Sequence, residues 1–216
     1  MIMARYDAAH KPATRARILE ASERLLKREG VDKTSVEAVM REAGLTVGGF
    51  YAHFASKEAL ARETLLQGVE KSFARLTAGL EHAADRTFLA TLIDRYLAQA
   101  DDPDLAHACP LTLLLPEVAR SDPAFRTEFA TRTAALVRAV ESRFPEVQGR
   151  ARRETALAVF ASLAGAVAMA RAAATPRARR TISDATRNLL FSSLGLEGAE
   201  TSLVSRGSRA RVRSRR

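Results

Sequence analysis

The stretch Thr34 to Lys57, TSVEAVMREAGLTVGGFYAHFASK, constrains the fold more than any other part of the chain. Thr34 is suited to cap a helix start, and Glu37 three residues on completes a capping box. Val36, Val39, Met40 and Ala43 recur at i, i+3, i+4 and i+7, one apolar face of a short helix. Gly44 follows where a chain leaving a helix turns through the left-handed region. Leu45 plugs the corner. Thr46 is placed to cap a second helix, in which Phe50 and Phe54 share the inner face and Tyr51 points away. Helix, glycine turn, helix is the layout whose second helix enters the DNA major groove.

The flanking segments read as helices too. Thr14 to Glu29 is amphipathic, with Ile18, Ser22, Leu25 and Leu26 inward, and Gly30 stops it. It completes a three-helix core. Residues 1–12 read as a flexible arm. Arg5, Lys11, Arg15 and Arg17 could reach phosphates or the minor groove, or be solvated charges at a disordered start. From Lys57 to about Leu80 a long helix carries Leu66, Val69, Phe73, Leu76 and Leu80 at spacings of three and four. It is expected to start in the first domain and run into the second. Further helices are expected over Arg86–Ala100, from Cys109-Pro110, from Ser121-Asp122-Pro123 to Phe144, over Arg150–Ala174 and over Arg179–Leu194. Pro110 suits a first helical position.

Composition narrows the classes. Ala, Leu, Arg and Glu dominate, tryptophan is absent, and no useful β alternation occurs, so an all-α protein is expected. One cysteine excludes an intrachain disulfide and suits a reducing cytoplasm. No signal peptide is expected, and the uncharged run Thr155 to Ala170 is shorter than the roughly 20 residues a bilayer requires. No membrane partner is expected. Residues 1–57 hold 10 Lys/Arg and 7 Asp/Glu, a balance of +3; residues 205–216 hold 6 Arg and no acid. The body between them is neutral, so the +9 excess lies at the two ends, as a polyanion partner would favour. His10, His53, His82 and His107 form no zinc spacing. There is no G-x-S-x-G elbow, and no GK[ST] follows Gly44, Gly48 and Gly49. No catalytic residues, metal or cofactor are expected.

Gly44-Leu45-Thr46, Phe50-Tyr51-Ala52-His53-Phe54 and Ser56-Lys57-Glu58-Ala59-Leu60 resemble the tetracycline-repressor (TetR) family of bacterial transcription regulators. The resemblance covers residues 14 to 66 and is specific, because turn, aromatic, His and Lys positions agree in order. It implies an all-α chain with a helix-turn-helix domain over residues 1–57 and a helical ligand-binding and dimerisation domain over 58–199. An Arg-rich disordered tail follows over 200–216. It implies a cytoplasmic homodimer that binds an inverted-repeat operator on double-stranded DNA and is released by a small-molecule effector. It also implies that Tyr51, His53 and Lys57 contact phosphates while Thr46, Val47 and Gly48 approach base edges. A phenol, an imidazole and an ammonium all donate to phosphate oxygens. Val47 and Ala52 can pack on thymine methyls, and Thr34, Ser35 and Thr46 offer short hydroxyls. The chain departs from the family at Val47 and Gly49, where many members carry a hydrogen-bonding side chain, so few direct base hydrogen bonds are expected.

Apolar and aromatic pocket candidates are Leu92, Tyr96, Cys109, Leu113, Phe129 and Phe160; each could equally be plain core. Cys109 at a helix start is either a reactive thiol or a small buried hydrophobe. Ala158, Ala161, Ser162, Gly165, Ala168 and Met169 form a face poor in large side chains. With Ile182, Leu189, Leu190 and Phe191 it suits either a four-helix interface between two copies or an intrachain hairpin. An architectural nucleic-acid binder is the alternative function, supported by the Arg tail.

Overall fold

The computed structural model of the protein describes residues 10–105, 108–199 and 201. Arg5, His107 and the Arg-rich tail beyond Thr201 lie outside the described residues. Among those described there is no strand. The α-helices are α1 His10–Glu29, α2 Val36–Glu42, α3 Lys57–Thr77, α4 Asp85–Leu97, α5 Pro110–Arg120, α6 Pro123–Glu141, α7 Gly149–Ala172 and α8 Pro176–Ser193. Two 3-10 helices, Val47–Ala52 and Ala98–Asp101, complete the order.

The N-terminal end is built on one apolar cluster. Ile18, Leu19, Ala21 and Leu25 of α1 meet Val39 and Met40 of α2, Phe50 and Phe54 beyond the turn, and Leu60 of α3. Ile18 and Phe50 are fully enclosed. Burying a side chain of this size contributes about 1.5 to 3 kcal/mol, so the aromatic pair anchors the segment that carries it. Gly44 turns at φ +66°, a backbone setting that disfavours any side chain, and the Leu45 amide closes the turn onto Met40 O at 2.8 Å.

The details correct four expectations. The cap of α2 is Ser35, whose hydroxyl accepts from the Ala38 amide; Thr34 is buried and donates to Gly30 O at 2.8 Å, satisfying a carbonyl at the end of α1. The second helix of the motif is a 3-10 helix, and Thr46 precedes it without a side-chain cap. The first helix begins at His10, inside the expected arm. Arg15 and Arg17 are engaged within the protein. Arg17 donates to Ala43 O at 2.6 Å; Arg15 pairs with Glu63 and lies 4.5 Å over the Phe54 ring.

The helix α3 is the spine. Ser56 caps it, its hydroxyl accepting from Ala59 N at 3.1 Å. Its first turns pack on α1, and Thr64 donates to Ser22 across that joint. Leu65, Leu66 and Val69 then pack with Leu26 of α1, Leu114 and Val118 of α5, and Phe125 of α6. Its far end, with Leu76, joins the largest cluster, built from α4, α7 and α8. Arg62 and Asp122, and Arg132 and Glu70, tie the spine to α6.

Gly68 of α3 is buried. A Cβ there would sit 2.8 Å from Pro110 Cγ and 3.3 Å from Glu23 Oε1, so only glycine lets α1, α3 and α5 meet. Gly68→Ala is expected to destabilise the fold by about 1 to 3 kcal/mol through overpacking, read as a lowered urea midpoint with unchanged slope.

By length and composition, α7 could cross a membrane. Its Val159, Leu163, Ala166, Val167 and Ala170 are instead buried in the largest cluster, and Arg171 donates to Gln99 O at 2.6 Å. It packs as a core helix on that face. Its opposite face, with Leu157, Ala158, Ala161, Gly165 and Met169, is exposed.

Candidate functional site

Phe50 and Phe54 are inward and their rings lie 5.9 Å apart, which fixes the outward side of the segment between them. Tyr51 stands edge-on to Phe50, with centroids 5.2 Å apart, yet is 72% exposed. A tyrosine held by its ring edge with its hydroxyl in solvent is poised to donate outward. Thr46, Val47, Gly48 and Ala52 are exposed alongside it, and Ser35 is exposed at the start of α2. His53 is half-buried, as is Lys57 at the start of α3. The Lys57 ammonium donates to Asp32 O at 3.3 Å, which holds it beside the α1–α2 connection and leaves further N–H bonds for an anion. Ser35, Thr46, Val47, Gly48, Tyr51 and Ala52 are thus exposed around the turn of the motif, with His53 and Lys57 half-buried beside them. Thr34 points into the protein and leaves that set.

This face suits a polyanion in the way it distributes donors. A hydroxyl, an imidazole and an ammonium flank a short apolar strip, Val47 to Gly48 and Ala52. In protein–DNA interfaces generally, such donors bind phosphates and small apolar groups meet thymine methyls. Lys33 and Arg41 are exposed on the flanks of α2 and add positive charge that residue spacing alone did not single out.

A second site lies inside the body of the protein. Leu92, Tyr96, Cys109 and Phe160 lie around an apolar cleft between α3, α4, α5 and α7. Val69, Phe73 and Leu76 of α3, Leu111 of α5, Leu136 of α6 and Leu163 of α7 complete its walls. Leu113 and Phe129 do not join it; both pack against the neighbouring cluster around Leu66 and Phe125. The residues missed on α3 were visible as its apolar stripe, which reads as a packing seam and gives no sign of a ligand. The cleft is nearly closed, with a void of about 10 Å³, room for about one water. Its polar atoms are gathered at Tyr96 and Cys109. The Tyr96 hydroxyl lies 3.3 Å from Thr112 Oγ1, and burial raises its pKa well above the usual phenol value, so it stays protonated. Cys109 is buried and its amide donates to Gln99 Oε1 at 2.7 Å. A broader groove outside, between α3 and α6, is lined by Arg62, Glu63, Glu70, Lys71, Glu128 and Arg132. It is open to solvent, and several of its charges pair within the protein, so it is the weaker ligand site.

Residues 18–64 match the family model for bacterial regulatory proteins of the tetR family. The uncharacterized HTH-type transcriptional regulator YfiR of Bacillus subtilis is 31% identical over 85 residues, 39% of this chain and 42% of that protein's own length. The HTH-type transcriptional regulator UidR of Escherichia coli is 35% identical over 68 residues, 32% of this chain and 35% of the relative. The chain thus spans less than half the length of these curated relatives. Among solved structures, a TetR transcriptional regulator from Chloroflexus aurantiacus superposes with a TM-score of 0.66 at 24% identity, covering 84% of this chain and 96% of that one. The family-model match is confined to residues 18–64, whereas the likeness of fold covers 84% of the chain.

Proposed function

The chain belongs to the tetR family of bacterial regulatory proteins, and on that premise we propose that it is a repressor that binds an inverted-repeat operator as a homodimer and is released by a small molecule. The observation that carries this reading is the exposed face from Thr46 to Lys57, anchored from behind by Phe50 and Phe54. Tyr51, His53 and Lys57 serve as phosphate contacts. Val47, Gly48 and Ala52 face the bases, with Ser35 and Thr46 beside them.

The exposed sides of α7 and α8 support the dimer. Leu157, Met169 and Leu189 are large, apolar and exposed, and Ala158, Ala161 and Gly165 between them let a partner helix come close. Two helices from each copy would make a four-helix interface, and its two-fold symmetry requires an operator with two matching half-sites. Residues 1–57 serve as the DNA-reading domain and 58–199 as the ligand-binding and dimerisation domain, with α3 as the lever between them. An effector that enters the apolar cleft parts α3 from α7 and respaces the two heads. It acts only to the extent that it binds the released shape more tightly than the DNA-bound one.

The test is a randomised operator library bound at several salt concentrations. Lys57→Ala is expected to weaken all sequences alike and to flatten the salt slope by about two charges per dimer. Val47→Ala is expected to change the preference at one position of each half-site and leave the slope unchanged. The reverse pattern would overturn the assignment of phosphate and base contacts. Uniform weak protection in a footprint, without discrete sites, would instead favour an architectural nucleic-acid binder.

A further inference from the structure

The interior cleft carries more information than its position, because its chemistry is one-sided. Among the described residues, no charged side chain lines it. Phe73, Leu111, Leu136 and Phe160 are half-buried and form its mouth, with the Phe73 and Phe160 rings 6.4 Å apart; Leu92 and Leu163 close the floor. An ionised group brought into such a site would give up its hydration without a counter-charge, which costs several kcal/mol.

The polar end is equally specific. Tyr96, Thr112 and Cys109 bring two hydroxyls and one thiol to one place, so the trio holds three X–H bonds. The Tyr96–Thr112 contact uses one of them, and a thiol–phenol contact uses at most a second. With Thr112 as the donor in that contact, the Tyr96 O–H and the Cys109 S–H remain on the lining, and one of them is left for an acceptor that arrives in the cleft. The Cys109 amide is already bonded to Gln99, whose side-chain nitrogen donates to Tyr96 O, so the backbone around the trio is held in place.

Resting on the reading of this cleft as the effector site, we infer that the effector is an uncharged hydrophobe with one oxygen acceptor, a ketone, ester or alcohol, seated against Tyr96 and Cys109. It enters between Phe73 and Phe160 and must displace side chains, because the resting void holds about one water. An anion of the same carbon skeleton is excluded by the lining.

The test uses the full-length dimer with N-phenyl-1-naphthylamine as a fluorescent probe and 2-decanone and decanoate as competitors at pH 7.5. The ketone is expected to displace the probe at concentrations at least tenfold lower than the carboxylate. Tyr96→Phe is expected to weaken the ketone about fivefold, as loss of one hydrogen bond predicts, without weakening the probe. Leu136→Trp, which fills the mouth, is expected to abolish binding of both; Phe160→Trp serves if that variant does not fold. If decanoate competes as well as the ketone while the mouth variant still blocks the probe, the cleft is the site and the inferred ligand chemistry is wrong. If the probe ignores the mouth variant in a protein with wild-type circular dichroism, or if neither probe nor ketone binds, the cleft reading itself falls and this inference with it.

Discussion

Ala158→Arg together with Gly165→Arg is expected to give a folded monomer that no longer holds an inverted-repeat operator. Both positions are exposed on α7, and a Cβ built at Gly165 meets no atom within 4 Å. The arginines therefore disturb nothing within one copy, and replacing a helical glycine adds helix propensity. Between two copies they would set four guanidinium groups into an apolar face around Leu157 and Met169, where each loses hydration without an acid to pair with. The wild type is expected to remain dimeric at micromolar concentration and the variant to sediment as a monomer with wild-type helical circular dichroism, its thermal midpoint lowered by the lost dimer linkage. A monomer engages one half-site and loses the effective concentration that a linked second head provides, so operator affinity should fall on the order of 1,000-fold. Sedimentation velocity and a mobility-shift titration on the same samples decide it. A dimer that survives at micromolar concentration would remove α7 from the interface and favour its reading as one half of an intrachain hairpin.

The fold was largely legible because its signals are local. The stripe from Leu66 to Leu76 has one helical period, and α3 forms over it, ending at Thr77 where Gly79 turns at φ +76° before Leu80. Pro110 and Pro123 mark first turns, and α5 and α6 begin at them. Errors arose where two residues of one chemistry compete. Thr34 and Ser35 both carry a hydroxyl, and the capping-box spacing favours Thr34; the cap falls to Ser35 because the Thr34 hydroxyl is turned back and donates to Gly30 O. The second motif helix tightens to a 3-10 turn because Val47-Gly48-Gly49 is weak in α propensity and the span ends after six residues.

The cleft was only half legible, for a geometric reason. Leu111 and Leu113 lie two residues apart on α5, about 200° around a helix; both touch the cluster around Leu66 and Phe125, but only Leu111 also lines the cleft. Both are leucines, and only the packing of α5 against α3 decides which one turns to the cleft. Phe129 and Leu136 share one side of α6 but lie two turns apart along it. Phe129 therefore stays beside Phe125, with ring centroids 6.5 Å apart, while Leu136 reaches the mouth.

Gly48→Ala is expected to leave the protein as stable as before, or slightly more so, and to weaken operator binding about tenfold per half-site, on the order of 100-fold for a dimer. Nothing inside the chain requires glycine at this position. Its φ is not positive, and a Cβ built there meets no atom within 4 Å. Glycine in a helical turn costs up to about 1 kcal/mol relative to alanine, so an unneeded glycine here is a local loss. The loss makes sense if the space above Gly48 is taken by the DNA, whose base edges then approach the backbone directly. Gly49 is the internal control. It is half-buried, and its Cβ would lie 3.9 Å from Met40 Cε, an ordinary contact, so Gly49→Ala should change neither stability nor affinity by more than about threefold. Chemical denaturation of both variants separates folding from binding, and titration of each against the same operator reads the contact. Equal affinity of Gly48→Ala and the wild type would show that the DNA does not close on this residue, and the base-facing role of the whole Val47–Ala52 strip would have to be reassigned to α2.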